Sequence, residues 1–229
     1  MNDGLLALLQ FSDGLFPAGG FAHSLGLETY VQDGRIIDAD GLDRFMTAQL
    51  EGSAGPTDAG AAVLAARAAR GADAATLITL DVAVDAMKLV PEARAASRQM
   101  GRQVLRIADA LRDDPVRAAL AAAVAAGTAH GHHAVVFGAV LGGDGASDES
   151  IATACLYSTA AMLVGAGVRL LSLGQLDGQR VLAAARPRIR RLAAAAVAVR
   201  GVDDLWSFTP ALELAGLRHA TLDARLFRS

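Results

Sequence analysis

Helix-breaking residues recur at short intervals along a chain that otherwise consists mostly of helix formers. Alanine and leucine, which lead the helix-propensity ranking, dominate the sequence, whereas the aromatic residues that favour strands make up only 4%. Strict alternation of apolar and polar residues, the pattern of a strand, never extends beyond a few positions. The sequence therefore predicts an all-α fold, a single-domain bundle of about ten helices, in which abundant alanine lets the helix axes approach closely.

Capping residues and glycine or proline breaks predict where the helices begin and end. Asp38 or Asp40 is predicted to cap a helix that runs to about Leu50. The stretch 52–56, with two glycines and a proline, is predicted to break the chain before a helix that reaches Arg70. Asp114, Ser147 and Thr209 are the other predicted caps. The remaining predicted helices cover about 4–12, 25–33, 73–88, 91–112, 115–126, 132–142, 147–173, 175–185, 187–200 and 210–222.

Composition and charge restrict the class of protein. No Ser/Pro-rich linker and no internal repeat interrupts the chain, so residues 1–229 are predicted to form one domain. The net charge is only −3 and no basic face stands out, which argues against a nucleic-acid partner. The arginines within 186–191 are interpreted as a solvated helix face. The lone Cys155 excludes an internal disulfide and fits a reducing compartment, so a cytoplasmic protein is predicted.

Two uncharged runs, 118–143 and 150–168, are long enough to raise the question of a membrane span. The first run is interrupted by the sequence GTAHGHH, which is costly at bilayer depth. The second contains hydroxyl-bearing residues and glycines. Both are predicted to be fully buried core helices of a protein without a membrane partner, and the first residues lack a signal-peptide pattern.

The best candidate for chemistry is the histidine cluster His130, His132 and His133. Imidazoles at this spacing could bind a transition metal and support a small metal-dependent hydrolase. The alternative is that they are hydrogen-bonded at a helix N-terminus, because adjacent side chains on a helix point about 100° apart. Phosphate-binding loops and the nucleophile elbow Gly-x-Ser-x-Gly are absent from the sequence. We predict no catalytic residues, no metal site and no cofactor, and keep the hydrolase as the alternative.

Six blocks of sequence, taken together, resemble one family, the urease accessory protein F family (UreF). They occur in the expected order and span nearly the whole chain, although Ser172 stands where a proline is common in the family. The blocks are LLALLQFSD with FPAGGFAHSLGLE (5–28), ASRQMGR (96–102), HHAVVFG (132–138), RLLSLGQLDGQR (169–180), SFTPALELAGLRH (207–219) and RLFRS (225–229).

The resemblance implies an all-α protein without catalytic activity of its own. Members of the family dimerise and bind an accessory protein of the D type, called H in some bacteria. Together these recruit the GTPase of the G type, and the assembly delivers nickel to apo-urease. The resemblance thus implies a scaffold that positions the GTPase and couples GTP hydrolysis to metal release.

The loop 16–28 is the first predicted partner-binding surface. Pro17 and two glycines fix a non-helical path, and Phe16 and Phe21 are predicted to anchor it in the core. His23, Ser24 and Glu28 would then be displayed beside the loop for an accessory partner. The alternative is a purely architectural corner between helices.

Two further segments complete the predicted partner-binding residues. The first, 169–180, contains Arg169, Gln175 and Gln179, whose side chains suit either a protein contact or a self-supporting helix corner. Tyr157 is placed by the resemblance at the dimer or partner surface. At the C-terminal end, Arg225, Leu226 and Phe227 are predicted to dock into the D-type partner or a neighbouring subunit. We expect that segment to become ordered only on binding.

Overall fold

The computed structural model describes residues 3–229, and within that span it contains helices and no strand. This confirms the predicted all-α bundle. A π-helical segment, Leu50–Ala59, and two 3-10 turns, Gly20–Ala22 and Val202–Asp204, accompany the α-helices. The α-helices are α1 Asp3–Ser12, α2 Leu27–Gln32, α3 Ala39–Gln49, α4 Gly60–Arg70, α5 Ala74–Met87, α6 Pro91–Leu111, α7 Pro115–Ala125, α8 His133–Gly143, α9 Asp148–Leu170, α10 Gln175–Ala184, α11 Arg186–Val197 and α12 Pro210–His219.

Side-chain caps begin several helices where the sequence predicts them. Asp38 Oδ1 accepts a hydrogen bond from Gly41 N at 2.8 Å, and Asp114 accepts from two amides at the start of α7. Ser147 caps α9 in the same way. Thr209 precedes α12 as predicted, but its hydroxyl donates to Glu213 instead of capping the backbone, and α12 ends at His219, earlier than predicted.

The predicted break at 52–56 is wrong. α3 continues through the π-helical segment Leu50–Ala59 into α4, and Pro56 lies inside this continuous helix. The segment packs against α9 and α11. Gly52 and Gly55 lack side chains at positions where a Cβ would lie 2.6 Å from Thr209 and 3.2 Å from Leu192. Tertiary packing therefore overrides the local helix-breaking signal.

The tightest contact in the bundle is the crossing of α4 and α8. Nearly every residue of α8 is buried, and a Cβ on Gly138 would lie 2.7 Å from Ala62 Cα. Gly142 meets Ala66 in the same way. Small residues on both helices therefore allow their backbones to touch, as the alanine content predicts.

α9 crosses the middle of the bundle and contributes to two of the apolar clusters that form the core. Within residues 3–229 it is the one helix long and apolar enough to cross a bilayer, but 56% of its most apolar window is buried inside the protein. The other uncharged run, 118–143, is divided between α7 and α8. Both runs contribute helices to the core, but the prediction of full burial is wrong, because many residues of α7 and α9 are exposed or only partly buried.

Candidate partner-docking site

The loop between α1 and α2 is only partly anchored as predicted. Phe16 is half-buried and packs on Phe11, with ring centroids 4.9 Å apart. Phe21 is 71% exposed, so its predicted role as a core anchor is wrong. Gly19 has φ +91°, a left-handed conformation that glycine adopts without strain. The 3-10 turn Gly20–Ala22 follows directly and leaves Phe21 outside the core.

The predicted display of His23, Ser24 and Glu28 is also wrong, because all three side chains are buried. The residues that cover them come from the C-terminal end of the chain. Ser229 O accepts hydrogen bonds from Ser24 N at 2.6 Å and from Ser24 Oγ at 2.9 Å. His23 Nδ1 lies 2.8 Å from Ser229 Oγ, and burial, aided by the positive charge of Arg228, lowers the pKa of His23.

Glu28 is the main acceptor for the C-terminal segment. Its carboxylate accepts from Leu226 N at 2.6 Å and from Phe227 N at 3.1 Å. The same carboxylate lies 2.9 Å from Nε2 of the buried His219. His219 Nδ1 lies 2.6 Å from Glu92, which also binds Arg225 at 2.9 Å. The residues selected from the sequence at both ends of the chain therefore meet in one hydrogen-bonded network.

The C-terminal segment 225–229 is docked on the chain itself, which corrects the prediction that it becomes ordered only on binding another protein. Phe227 is 3% exposed, and the Arg169 guanidinium lies over its ring, 4.3 Å from the centroid. Leu226, in contrast, is 62% exposed. The buried acceptors on α2 explain the ordered segment, because they provide partners for its backbone amides.

Tyr157, Arg169, Gln175 and Gln179 all line one groove of about 580 Å³. The loop between α1 and α2, α9 and α10 form its walls. Tyr157 is 43% exposed on α9, and Arg169 donates to Phe21 O at 2.6 Å across the groove. The structure therefore brings these four predicted residues together, whereas His23, Ser24 and Glu28 lie under the C-terminal segment.

Two buried hydroxyls in this groove lack partners. Ser12 Oγ and Ser158 Oγ are inaccessible to solvent and have no hydrogen-bond partner among residues 3–229. Unpaired buried polar atoms are uncommon in folded proteins, and each carries a free-energy cost. Neither serine was predicted as a site residue, because nothing in the local sequence distinguishes them from other helix serines.

Exposed apolar side chains lie in the groove lining and on the elements that supply it. They were also missed from sequence, where the run of leucines at the N-terminal end predicted only a short apolar helix. Contiguous exposed apolar surface is typical of protein interaction sites. Phe21 lines the groove, Leu15 and Leu176 are next in sequence to lining residues, and Leu5, Leu6 and Leu9 lie on α1.

The three clustered histidines do not converge on one point. His132 is the N-cap residue of α8 and is fully buried, with Nδ1 3.0 Å from Ser97 Oγ and Nε2 2.8 Å from Asp85. This is the predicted hydrogen-bonded arrangement at a helix N-terminus. His133 stacks instead on Phe137, with ring centroids 5.5 Å apart. Among the described residues, no three His, Cys, Asp or Glu side chains form a group suited to a metal ion.

Carboxylates hold this histidine segment in place. Asp81 is fully buried and accepts from the backbone amides of residues 130, 131 and 132 at 2.5 to 3.0 Å. Burial alone would raise the pKa of Asp85, but hydrogen bonds from His132 and Arg98 outweigh it and lower that pKa. Burial also lowers the pKa of His132. These hydrogen bonds therefore connect α5, which carries Asp81 and Asp85, to α6 and to the start of α8.

Comparison with known proteins identifies the family. The UreF family model matches residues 36–186, about two thirds of the chain. The chain belongs to the UreF family. Among curated proteins named urease accessory protein UreF, one from Bacillus sp. (strain TB-90) is 30% identical over 98% of this chain and 99% of its own length. Those from Paenarthrobacter aurescens (strain TC1) and Trichodesmium erythraeum (strain IMS101) are 35% and 31% identical to this chain. Each alignment covers at least 95% of this chain and at least 95% of the relative.

Proposed function

We propose that this chain is a urease maturation factor that acts as a non-catalytic scaffold. In this proposal it works with the D/H-type accessory protein and the G-type GTPase to deliver nickel to apo-urease, and it modulates the GTPase. The observation that carries the proposal is the similarity to UreF proteins over nearly the full chain. We propose further that residues 1–229 act as one cytoplasmic domain, without cofactor, nucleic-acid or membrane partners.

The groove around Tyr157 is the surface that we propose for self-association as a homodimer. Two properties support this assignment: the exposed apolar side chains of Tyr157 and Phe21 in the groove lining, and the polar side chains of Gln175 and Gln179. Apolar contacts supply most of the association energy, whereas the glutamines favour a partner with matching polar groups.

The C-terminal segment is the surface that we propose for the D/H-type partner. Leu226 offers an exposed apolar side chain on a segment held in one conformation by Glu28 and Phe227. A segment that is already ordered loses less conformational entropy on binding. In this proposal His23, Ser24 and Glu28 act indirectly, because they position Arg225 and Leu226 without touching the partner.

Co-expression with the two accessory proteins, followed by native mass measurement, tests the scaffold proposal. We expect a complex that contains all three proteins and a dimer of this chain. Tyr157→Asp should yield monomers, while Leu226→Asp should weaken capture of the D/H-type protein and leave the dimer intact. Val82→Asp, on an exposed position of α5, is the matched control.

Two results would contradict the proposal. If the purified chain captures neither accessory protein, the scaffold role is wrong. If Tyr157→Asp dimerises as the unmodified chain does, the groove is not the dimer surface. Elemental analysis of the same samples, with an assay for hydrolysis, separates the scaffold from the alternative hydrolase based on His130, His132 and His133.

A further inference from the structure

One side of α6 carries a row of arginines, which we call the arginine ridge. Its members are spaced four residues apart, so consecutive side chains lie about one turn apart and form an inclined row about 18 Å long. Every charged residue of this helix between Glu92 and Asp109 is one of these arginines. No basic face was predicted from the sequence, because three other residues separate each arginine from the next. The members of the ridge are Arg94, Arg98, Arg102 and Arg106.

Three of the four guanidiniums have no carboxylate partner among residues 3–229. Arg94 Nε donates to Lys88 O at 2.7 Å, and Arg102 Nε donates to His130 O at 3.0 Å. Arg106 Nε donates to a glutamine side chain on the same helix at 3.3 Å. These bonds hold each guanidinium in one orientation, while its two terminal nitrogens make no hydrogen bond within the described residues. The ridge therefore presents free donors in fixed positions.

Neighbouring carboxylates do not neutralise the ridge. Arg98 is the exception among its members, because its Nε donates to Asp85 on α5 at 2.8 Å. Glu92 belongs to the C-terminal network described above, and Asp109 pairs with the buried Arg117 at 3.4 Å. The ridge therefore keeps an unbalanced positive charge, although the chain as a whole has a net charge of −3.

α7 packs beside the C-terminal half of the ridge and presents an uncharged surface. Arg102 Cγ lies 3.1 Å, and Val124 Cγ2 3.4 Å, from the position that a Cβ on Gly131 would take, so these side chains of α6 and α7 are neighbours. No charged residue follows Arg117 in α7, although the outer face of a surface helix is ordinarily polar. The exposed positions beyond its first turn are Ala118, Ala122 and Ala125.

We propose that α6 and α7 together form a docking surface for an acidic amphipathic helix of a partner protein. Carboxylates four residues apart on such a helix match the arginine row, because rows with this spacing pack along one another. Each guanidinium can bind a carboxylate through its two terminal nitrogens. Because the guanidiniums are already oriented, they lose less conformational entropy on binding. The short side chains of α7 let the apolar side of the partner helix approach closely.

This surface is distinct from the two proposed above. None of the four arginines lines the groove, and none belongs to the C-terminal segment. A nucleic acid is the competing polyanion, but it would leave the uncharged face of α7 without a role. The spacing and the adjacent alanines therefore favour a protein helix.

A fluorescence-anisotropy titration with the purified full-length chain tests the docking surface. The probe is a labelled peptide of about 17 residues, crosslinked as a helix, with glutamate at every fourth position and alanine elsewhere, which is long enough to span the ridge. A second peptide of the same composition distributes the glutamates around the helix. At low ionic strength we expect the first peptide to bind about tenfold more tightly than the second, and added salt to weaken its binding.

Variants of the chain test the position of the charge. The ridge variant, Arg94→Gln with Arg102→Gln and Arg106→Gln, should weaken binding of the first peptide by about tenfold. The matched control removes the same charge at arginines of α3 and α11 that also lack a carboxylate partner among the described residues, and it should bind as the unmodified chain does. The control changes are Arg44→Gln, Arg186→Gln and Arg190→Gln.

Equal affinity for the two peptides overturns the proposal, as do equal effects of the two triple variants. Tighter binding of an oligouridylate of the same charge than of the first peptide also overturns it, because the ridge would then be a nucleic-acid site. Circular dichroism confirms that each variant is folded. Formation of the accessory complex is measured separately, so the docking surface and the proposed scaffold role can fail independently.

Discussion

Glu28 and His219 lie 191 positions apart in the sequence, and their side chains are joined by a buried contact of 2.9 Å. Glu28 also accepts two backbone amides from the C-terminal segment, at Leu226 and Phe227. One carboxylate on a short helix therefore links α2, α12 and the end of the chain.

Replacing Glu28 with alanine should release the C-terminal segment. Two amides and the imidazole of His219 lose their acceptor, and breaking such a buried network costs about 3 kcal/mol or more. Denaturant unfolding measures the stability, and hydrogen exchange at Leu226 and Phe227 measures the release. Asp33→Ala, which removes the exposed pair with Arg218, is the control and should have a much smaller effect. Unchanged exchange at both amides would contradict the assigned role of Glu28.

Replacing Gly138 with alanine should strongly destabilise the bundle. The new methyl group would overlap the backbone of Ala62, which cannot move aside as a side chain can, so a cost of about 3 kcal/mol is expected. Gly165→Ala on α9 is the matched control, because a Cβ there meets nothing within 4 Å. Thermal and denaturant unfolding should show the control to be more stable by roughly 0.5 to 1 kcal/mol. Similar effects of the two changes would mean that α4 and α8 are not in backbone contact.

Arg169 and Phe227 should be energetically coupled. The guanidinium over the ring predicts a coupling free energy of about 0.5 to 1 kcal/mol in a double-mutant cycle of Arg169→Ala and Phe227→Ala. Arg180→Ala is the control, since Arg180 is exposed and, among the residues that the structure describes, pairs only with Asp177. Strictly additive effects of the Arg169 and Phe227 changes would exclude the contact.

The stability of the protein should fall as the pH is lowered from about 6.5 to about 4, in part through His133. Its pKa is about 4 in the folded chain, below the ordinary 6.5, so the unfolded chain binds the additional proton in that window. The loss from this residue is at most about 3 kcal/mol. Denaturant unfolding at several pH values should show a shallower dependence for His133→Gln. Parallel curves for the variant and the unmodified chain would contradict the assignment.

Local signals predicted the helices well and failed where distant parts of the chain meet. The caps at Asp38, Asp114 and Ser147 depend on residues three positions away or nearer, and the structure confirms them. The break predicted at 52–56 is absent, because contacts with α9 and α11 outweigh the glycines and Pro56.

In the candidate site, too, features that depend on nearby residues were predicted and features that depend on distant residues were not. Arg169, Gln175 and Gln179 were correctly grouped, because they are close in sequence. The burial of His23, Ser24 and Glu28 could not be predicted, since it depends on partners about 190 to 206 positions away. Sequence patterns selected both halves of that network without indicating that they bind each other.

The continuous helix formed by α3, the π-helical segment and α4 makes the chain sensitive to length changes at 50–59. Each residue removed from a helix rotates everything beyond it about the axis, by about 100° in an α-helix. A single deletion there would turn Ala62 and Ala66 away from Gly138 and Gly142, although no contact residue had changed. The core therefore requires a fixed number of residues in the π-helical segment, just as it requires glycine at positions 138 and 142.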